Sequence, residues 1–196
     1  PAAKGNEKPL AGKRVLFVRH GQGAHNATIK NWGLIDPELN AVGEQQVARL
    51  NTQLQPYLKD VEVVAVSPLT RALQTATGGF AGSKAKFVVT PLLRERLGAP
   101  CDTGRTKSAL IKAFPKMEKW EGMAELPEIW WSTRTECGLF SRVEAVEEWI
   151  ASRPEQCLAV VGHGGLFARL VGYHLKNCGF QWVDWQGEKS SSTDLL

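Results

Sequence analysis

Cysteine is scarce in this chain and badly spaced for chemistry. The 196 residues hold four, Cys101, Cys137, Cys157 and Cys178, each at least twenty positions from the next. No C-x-x-C pair is present to bind a structural metal or form a redox disulfide, and a disulfide is neither required nor excluded. No cysteine is followed six residues later by arginine, so the phosphate loop of a cysteine-dependent phosphatase is missing. No histidine or carboxylate cluster has metal-ligand spacing, and the chemistry is expected to use no metal and no cofactor. Gly98 to Thr106 superficially matches a nucleotide-binding loop, but five residues precede Gly104 and Arg105 stands where lysine is needed. No apolar run approaches the roughly 18 residues that cross a bilayer, so no membrane partner is expected.

Concentrated charge is lacking too. Net charge is +4 and the isoelectric point about 9.0, yet Lys and Arg are scattered, and the densest group is Arg94, Arg96, Arg105 and Lys107. Nucleic-acid binding calls for a basic stripe interleaved with aromatics. Trp120, Trp130, Trp131 and Trp149 fall among apolar positions and are expected to pack rather than stack on bases, so no nucleic-acid partner is expected.

What remains is the composition of an ordinary soluble globule, 43% hydrophobic and 22% charged. Residues 1–12 read as a flexible leader, 13–186 as one domain and 187–196 as a tail. Because the first residue is Pro1, the natural start is expected to have been trimmed, with any targeting segment lost. The cytoplasm is slightly favoured, and oligomeric state is open.

Short β-branched runs at Val15–Val18, Val61–Val66, Lys86–Val89 and Leu158–Val161 predict strands, and Phe180–Trp185 an edge strand. Between them lie helical patterns. One, from Ala41 to Leu58, is capped by Asn40 and striped by Val47, Leu50, Leu54 and Leu58. Ser67-Pro68 reads as an N-cap with proline at the first helical position, opening a helix to about Thr77. Others are predicted over Lys107–Phe114, capped by Thr106, over Leu139–Ile150, and over Leu166–Leu175. Residues 91–137 read as an insertion over the strand ends. The alternation predicts an α/β fold, a three-layer α/β/α arrangement with a mainly parallel sheet and helices on both faces.

Three predicted strand ends carry reactive side chains: Arg19-His20-Gly21, Ser67-Pro68-Leu69-Thr70-Arg71 and His163-Gly164-Gly165. Ligands of open α/β sheets bind outside the carboxyl ends of the strands. Two arginines and two histidines at one point suit a phosphoryl group, since guanidinium offers bidentate hydrogen bonds to its oxygens. The glycines after His163 are expected to leave N–H groups open to the anion.

These pieces resemble the histidine phosphatase superfamily, the fold shared by cofactor-dependent phosphoglycerate mutases and many small phosphatases. The likeness rests on Arg19-His20-Gly21 with Asn26, Ser67 to Ala76, Leu93-Arg94-Glu95-Arg96-Leu97-Gly98 and Val161 to Gly165, in the family's order. It implies that His20 is the nucleophile and is phosphorylated on a ring nitrogen. Arg19, Arg71 and His163 would hold the non-bridging oxygens, and Asn26 would add a hydrogen bond. Glu95 would protonate the leaving oxygen and then activate water; flanking Leu92, Leu93 and Leu97 are expected to enclose it. Arg19 and Arg71 should keep the imidazole neutral. Gly23, in place of a small hydroxyl residue, Gly164 and Arg105 complete the expected substrate contacts. His25, where the mutases have an aromatic, either lines the pocket or caps the loop.

The insertion is short, and its anion-binding candidates are few, which favours water over a second substrate as phosphoryl acceptor. The expected activity is that of a phosphoric monoester hydrolase acting on a small phosphorylated substrate. A phosphoglycerate mutase-type phosphotransferase and a non-catalytic phospholigand-binding module are the alternatives.

Overall fold

The computed structural model describes residues 12–131, 139–172 and 174–185. The leader up to residue 11, the tail 187–196 and residues 132–137 of the insertion lie outside the described residues. Five strands, β1 (Lys13–Arg19), β2 (Val63–Val66), β3 (Lys86–Val89), β4 (Cys157–Gly162) and β5 (Phe180–Trp185), form one sheet in the order β3-β2-β4-β1-β5. All pairings are parallel except that of β5, which runs antiparallel to β1 at the edge. The expected mainly parallel α/β sheet is thus found.

Alternation along the strands splits the core into two layers, because successive side chains point to opposite faces. Leu16, Val18, Val64, Val66, Ala159 and Val161 pack on one side with helices α2 (Ala41–Leu54) and α3 (Thr70–Gly79). Val15, Phe17, Val63, Ala65, Leu158 and Val160 face α5 (Leu139–Ser152) and α6 (Gly164–Leu170) on the other. The insertion contributes α4 (Lys107–Ala113) to the first layer through Leu110, with Met117 and Trp130 beside it. A short helix, α1 (Ala24–Ala27), follows β1.

Local signals place most helix starts. Asn40 accepts a hydrogen bond from Gly43 N and Thr106 from Ala109 N, as side-chain N-caps do. Three helices differ from expectation in their boundaries. Helix α2 stops at Leu54 instead of Leu58, since Pro56 lacks the N–H that would continue it; Leu58 still reaches the core from the following turn. Helix α3 opens at Thr70 with Leu69 as its cap, so Ser67 is not an N-cap. The Thr70 N–H and hydroxyl instead donate to the buried Asp36, at 2.8 and 2.6 Å. Helix α6 runs over Gly164–Leu170, not 166–175; Gly172, with φ of +73°, turns the chain back toward β1.

The start of α2 supports the loop after β1. Gln22 N donates to Gln46, Asn40 N donates to Gln22 O, and a Cβ on Gly43 would lie 2.2 Å from that carbonyl oxygen. Ordinarily Gly→Ala inside a helix gains about 1 kcal/mol. Here backbone meets backbone, and Gly43→Ala is expected to destabilise by about 1–3 kcal/mol. Urea denaturation decides the sign, and a more stable variant would show that α2 does not press on the loop.

Candidate active site

Because β4 lies between β1 and β2 and all three are parallel, their carboxyl ends meet on one edge. The register sets Val18 and Val66 on either side of Val161. The ladder continues beyond the strands, with His20 N donating to Gly162 O at 3.0 Å and Ser67 N to Val161 O at 3.1 Å. His20 and His163 are thereby brought together, their ring centroids 5.0 Å apart.

The His20 ring is oriented by its own loop. Nδ1 lies 2.7 Å from the Gly21 carbonyl oxygen, which can only accept, so Nδ1 carries the proton and Nε2 keeps its lone pair. Gly21 N donates to Thr75 Oγ1 at 2.9 Å, tying the loop to α3. The ring is buried, and burial together with the Arg71 charge holds its pKa well below the usual histidine value. His163 is likewise held well below by burial and then by Arg71, and shares a hydrogen bond at 2.8 Å between Nε2 and Ser67 Oγ. The Ser67 hydroxyl thus meets the histidine and also accepts from the N–H of Leu69, the cap residue of α3, at 3.3 Å. His163 Nδ1 has no partner among the described residues.

Arg71, in the first turn of α3, is 1% exposed. Its Nη1 donates to the Cys101 carbonyl at 2.7 Å and its Nη2 to Asp102 Oδ1 at 3.1 Å. Nε has no partner among the described residues. Arg19, at the end of β1, donates from Nη1 to Leu175 O at 2.8 Å, and burial lowers its pKa. A Cβ on Gly164 would sit 3.2 Å from the Arg19 Cζ, so the guanidinium packs closely over this glycine.

Glu95 occupies a setting different from the apolar enclosure expected. Its Oε2 accepts from Gly165 N at 3.0 Å and its Oε1 from Arg96 N at 2.9 Å, while Leu93 points into the core. The Gly165 amide, expected to be open to an anion, is thus used by the carboxylate. Asn26 accepts from Gly23 N at 3.0 Å, and Asn177 Nδ2 lies 3.4 Å from its Oδ1. His25 is buried 5.8 Å from the His20 ring, its pKa lowered to about 4 by burial and then by Arg71. It stands over Gly23, where a Cβ would come within 2.7 Å of its Nδ1. Arg105 is turned to Asp36 Oδ2, at 3.6 Å, and Glu38 Oε1, at 2.8 Å. The structure does not aim it at His20.

Several supporting residues carry no motif-level signal. Asn177 Nδ2 donates to His20 O at 3.1 Å, and Cys178 N lies 3.1 and 3.2 Å from the carbonyls of Arg19 and His20. This strut after α6 holds the first loop from behind. Among the described residues no group of three or more His, Cys, Asp or Glu is disposed to hold a metal, and no helix is long and apolar enough to cross a membrane.

Three buried imidazoles with lowered pKa values have a consequence for stability. In the unfolded chain they protonate near pH 6.5, while in the folded chain they stay neutral to lower pH. Below 6.5 the unfolded state binds more protons, so stability is lost as pH falls below 6.5, down to about 4 for the contribution of His25, and these groups contribute little slope above 6.5. Each contributes up to about 1.4 kcal/mol per pH unit. Urea unfolding at pH 5.0 and 7.5 is expected to show the lower stability at 5.0, and His25→Gln to reduce the difference. Equal stability at the two values would contradict the neutral assignment.

The family model of the histidine phosphatase superfamily (branch 1) matches residues 15–192. A phosphoglycerate mutase-like protein of Arabidopsis thaliana is 27% identical over 206 residues, covering 85% of this chain and 76% of its own. A Schizosaccharomyces pombe protein described as a probable phosphatase is 32% identical over 165 residues, covering 78% of this chain and 74% of its own. Among solved structures, mycobacterial glucosyl-3-phosphoglycerate phosphatase in complex with VO3 superposes with a TM-score of 0.56 at 23% identity, over 87% of this chain and 92% of that one. An Entamoeba histolytica phosphoserine phosphatase in complex with 3-phosphoglyceric acid superposes with a TM-score of 0.53 at 18% identity, over 86% and 89%. With its reactive strand ends gathered on one sheet edge and a family model spanning nearly all of its length, this chain belongs to the histidine phosphatase superfamily.

Proposed function

We propose that the protein is a phosphatase that hydrolyses small phosphate monoesters through a phosphohistidine on His20, without a metal. The observation that carries this reading is the His20 ring itself: buried, with Nδ1–H donated to Gly21 O and a lone pair left on Nε2. A nucleophile needs that lone pair at neutral pH, and burial beside Arg71 favours the uncharged form. In the proposed first step Nε2 attacks phosphorus, the bond to the ester oxygen breaks, and Glu95 gives that oxygen its proton. Glu95 then takes a proton from water, whose oxygen attacks phosphorus as the P–N bond breaks. Neutral His20 and inorganic phosphate result. Arg19, Arg71 and His163 would stabilise charge on the non-bridging oxygens, as preorganised donors do in phosphoryl transfer. Asn26, Gly23 and Gly164 would shape the phosphate end of the pocket.

Support for hydrolysis comes from the relatives and neighbours named as phosphatases. The mutase-like names among the relatives keep phosphoryl transfer to a second hydroxyl as the alternative.

Phosphate release from a panel of monoesters in EDTA, including phosphoserine and sugar phosphates, is the test. The wild type is expected to release phosphate and His20→Ala to release none. Arg71→Ala should lower kcat by roughly 10²–10³-fold, the effect of losing one preorganised oxyanion donor. Release that survives in His20→Ala would overturn the mechanism. A phosphorylated His20 that transfers only to added phosphoglycerate would favour the mutase.

A further inference from the structure

Arg71 is the most enclosed cation of the site, yet its partner Asp102 lies four residues beyond the nearest stretch of family likeness, which ends at Gly98. We infer that Asp102, in the insertion, is a positioning residue that sets the Arg71 guanidinium for its anion. The inference rests on the reading of the site as a phosphate clamp.

The carboxylate is itself fixed before it meets the arginine. Asp102 closes a short 3-10 turn, Pro100–Asp102, and its Oδ2 accepts from the backbone N–H groups of Gly98 and Ala99, both at 3.2 Å. The second of these is the reach back to the N-cap amide that an acidic residue makes at the third position of a helical turn. With Oδ2 held by two main-chain donors, Oδ1 is left pointing at Arg71 Nη2, 3.1 Å away. The adjacent Cys101 carbonyl takes Nη1 at 2.7 Å. Two consecutive residues of one turn thus grip both terminal nitrogens. The Asp102 side chain is 12% exposed and that of Arg71 1%, so the pair is little screened by water.

This arrangement gives the insertion a task. A buried guanidinium on a long flexible side chain would otherwise find its own partners, and an uncompensated buried charge is costly. The turn supplies the compensating charge and the direction. It also links two functions, because Gly98 and Ala99 follow Glu95 by three and four positions in the same loop. Displacing that loop shifts the carboxylate on Gly165 and the clamp on Arg71 together.

Side-chain NMR of the full chain tests the placement without any turnover. In the wild type the two Arg71 Nη groups should give separate, slowly exchanging signals, because both are held. Asp102→Ala should speed the exchange between them, since only the Cys101 carbonyl then holds the group, and Asp102→Asn, which keeps an acceptor at Oδ1, should leave it slow. With p-nitrophenyl phosphate, Asp102→Ala should lower kcat/KM roughly 10- to 100-fold, the usual cost of losing a group that orients a binding side chain. Asp102→Asn should lose less. In an Arg71→Ala background neither change should cost more than about twofold, since the pair acts as one unit. Nη exchange no faster in Asp102→Ala than in the wild type would overturn the inference, as would an equal loss on both backgrounds. If Asp102→Ala fails to fold, the same two readouts on Asp102→Asn and Asp102→Ser decide it. A wild type that turns over no monoester while its Arg71 signals respond as stated would defeat the phosphatase reading and leave the positioning role standing.

Discussion

The parallel pairing of β4 between β1 and β2 is the constraint on which the rest depends. Parallel strands send their carboxyl ends to one edge, and the ladder bonds from His20 to Gly162 and from Ser67 to Val161 carry the register into the loops. A slip of one residue would exchange the two faces of every strand. Val15-Leu16-Phe17-Val18 is apolar throughout and buried on both faces, so the register is held by the close fit of these side chains to the two core layers rather than by a polar–apolar alternation. The core thus fixes the distance between the two imidazoles, although neither belongs to it.

Electrostatics at this edge follow from burial. Arg71 is enclosed among His20, His25 and His163, and its charge adds to desolvation in keeping all three neutral. Neutral rings cost the fold stability at acid pH but leave lone pairs at the sheet edge, as the proposed mechanism requires. The same enclosure demands a counter-charge, which Asp102 provides. Sites that hold like charges or unprotonated bases in place usually give up some stability to do so.

Support from behind comes from chain segments without chemistry of their own. Leu175, Asn177, Cys178 and Gly179 all bond to Arg19 or His20, and Thr75 and Gln46 hold the next two residues. The loop after β1 is therefore clamped from α2, α3 and the turn before β5. Such redundancy suits a loop that must keep one ring tautomer and one orientation.

Local sequence determined the strands, the two-faced alternation of their side chains, the caps at Asn40 and Thr106, and the three reactive strand ends. Each of these rests on periodicity or on hydrogen bonds between near neighbours. Family resemblance added the roles, which spacing alone does not carry. Tertiary structure decided the rest. Ser67 reads as a helix cap next to Pro68, but a histidine 96 residues away takes its hydroxyl. The helix expected over 166–175 is cut short at Leu170, and the released chain reaches back to His20 across 157 residues. Arg105 reads as an anion ligand, and Asp36 and Glu38 claim it. Asp102 reads as one acid in a loop, and only the approach of α3, 31 residues earlier, makes it the partner of Arg71. Contacts between distant residues leave no period and no motif in the chain, because they depend on which sheet edge each loop is delivered to.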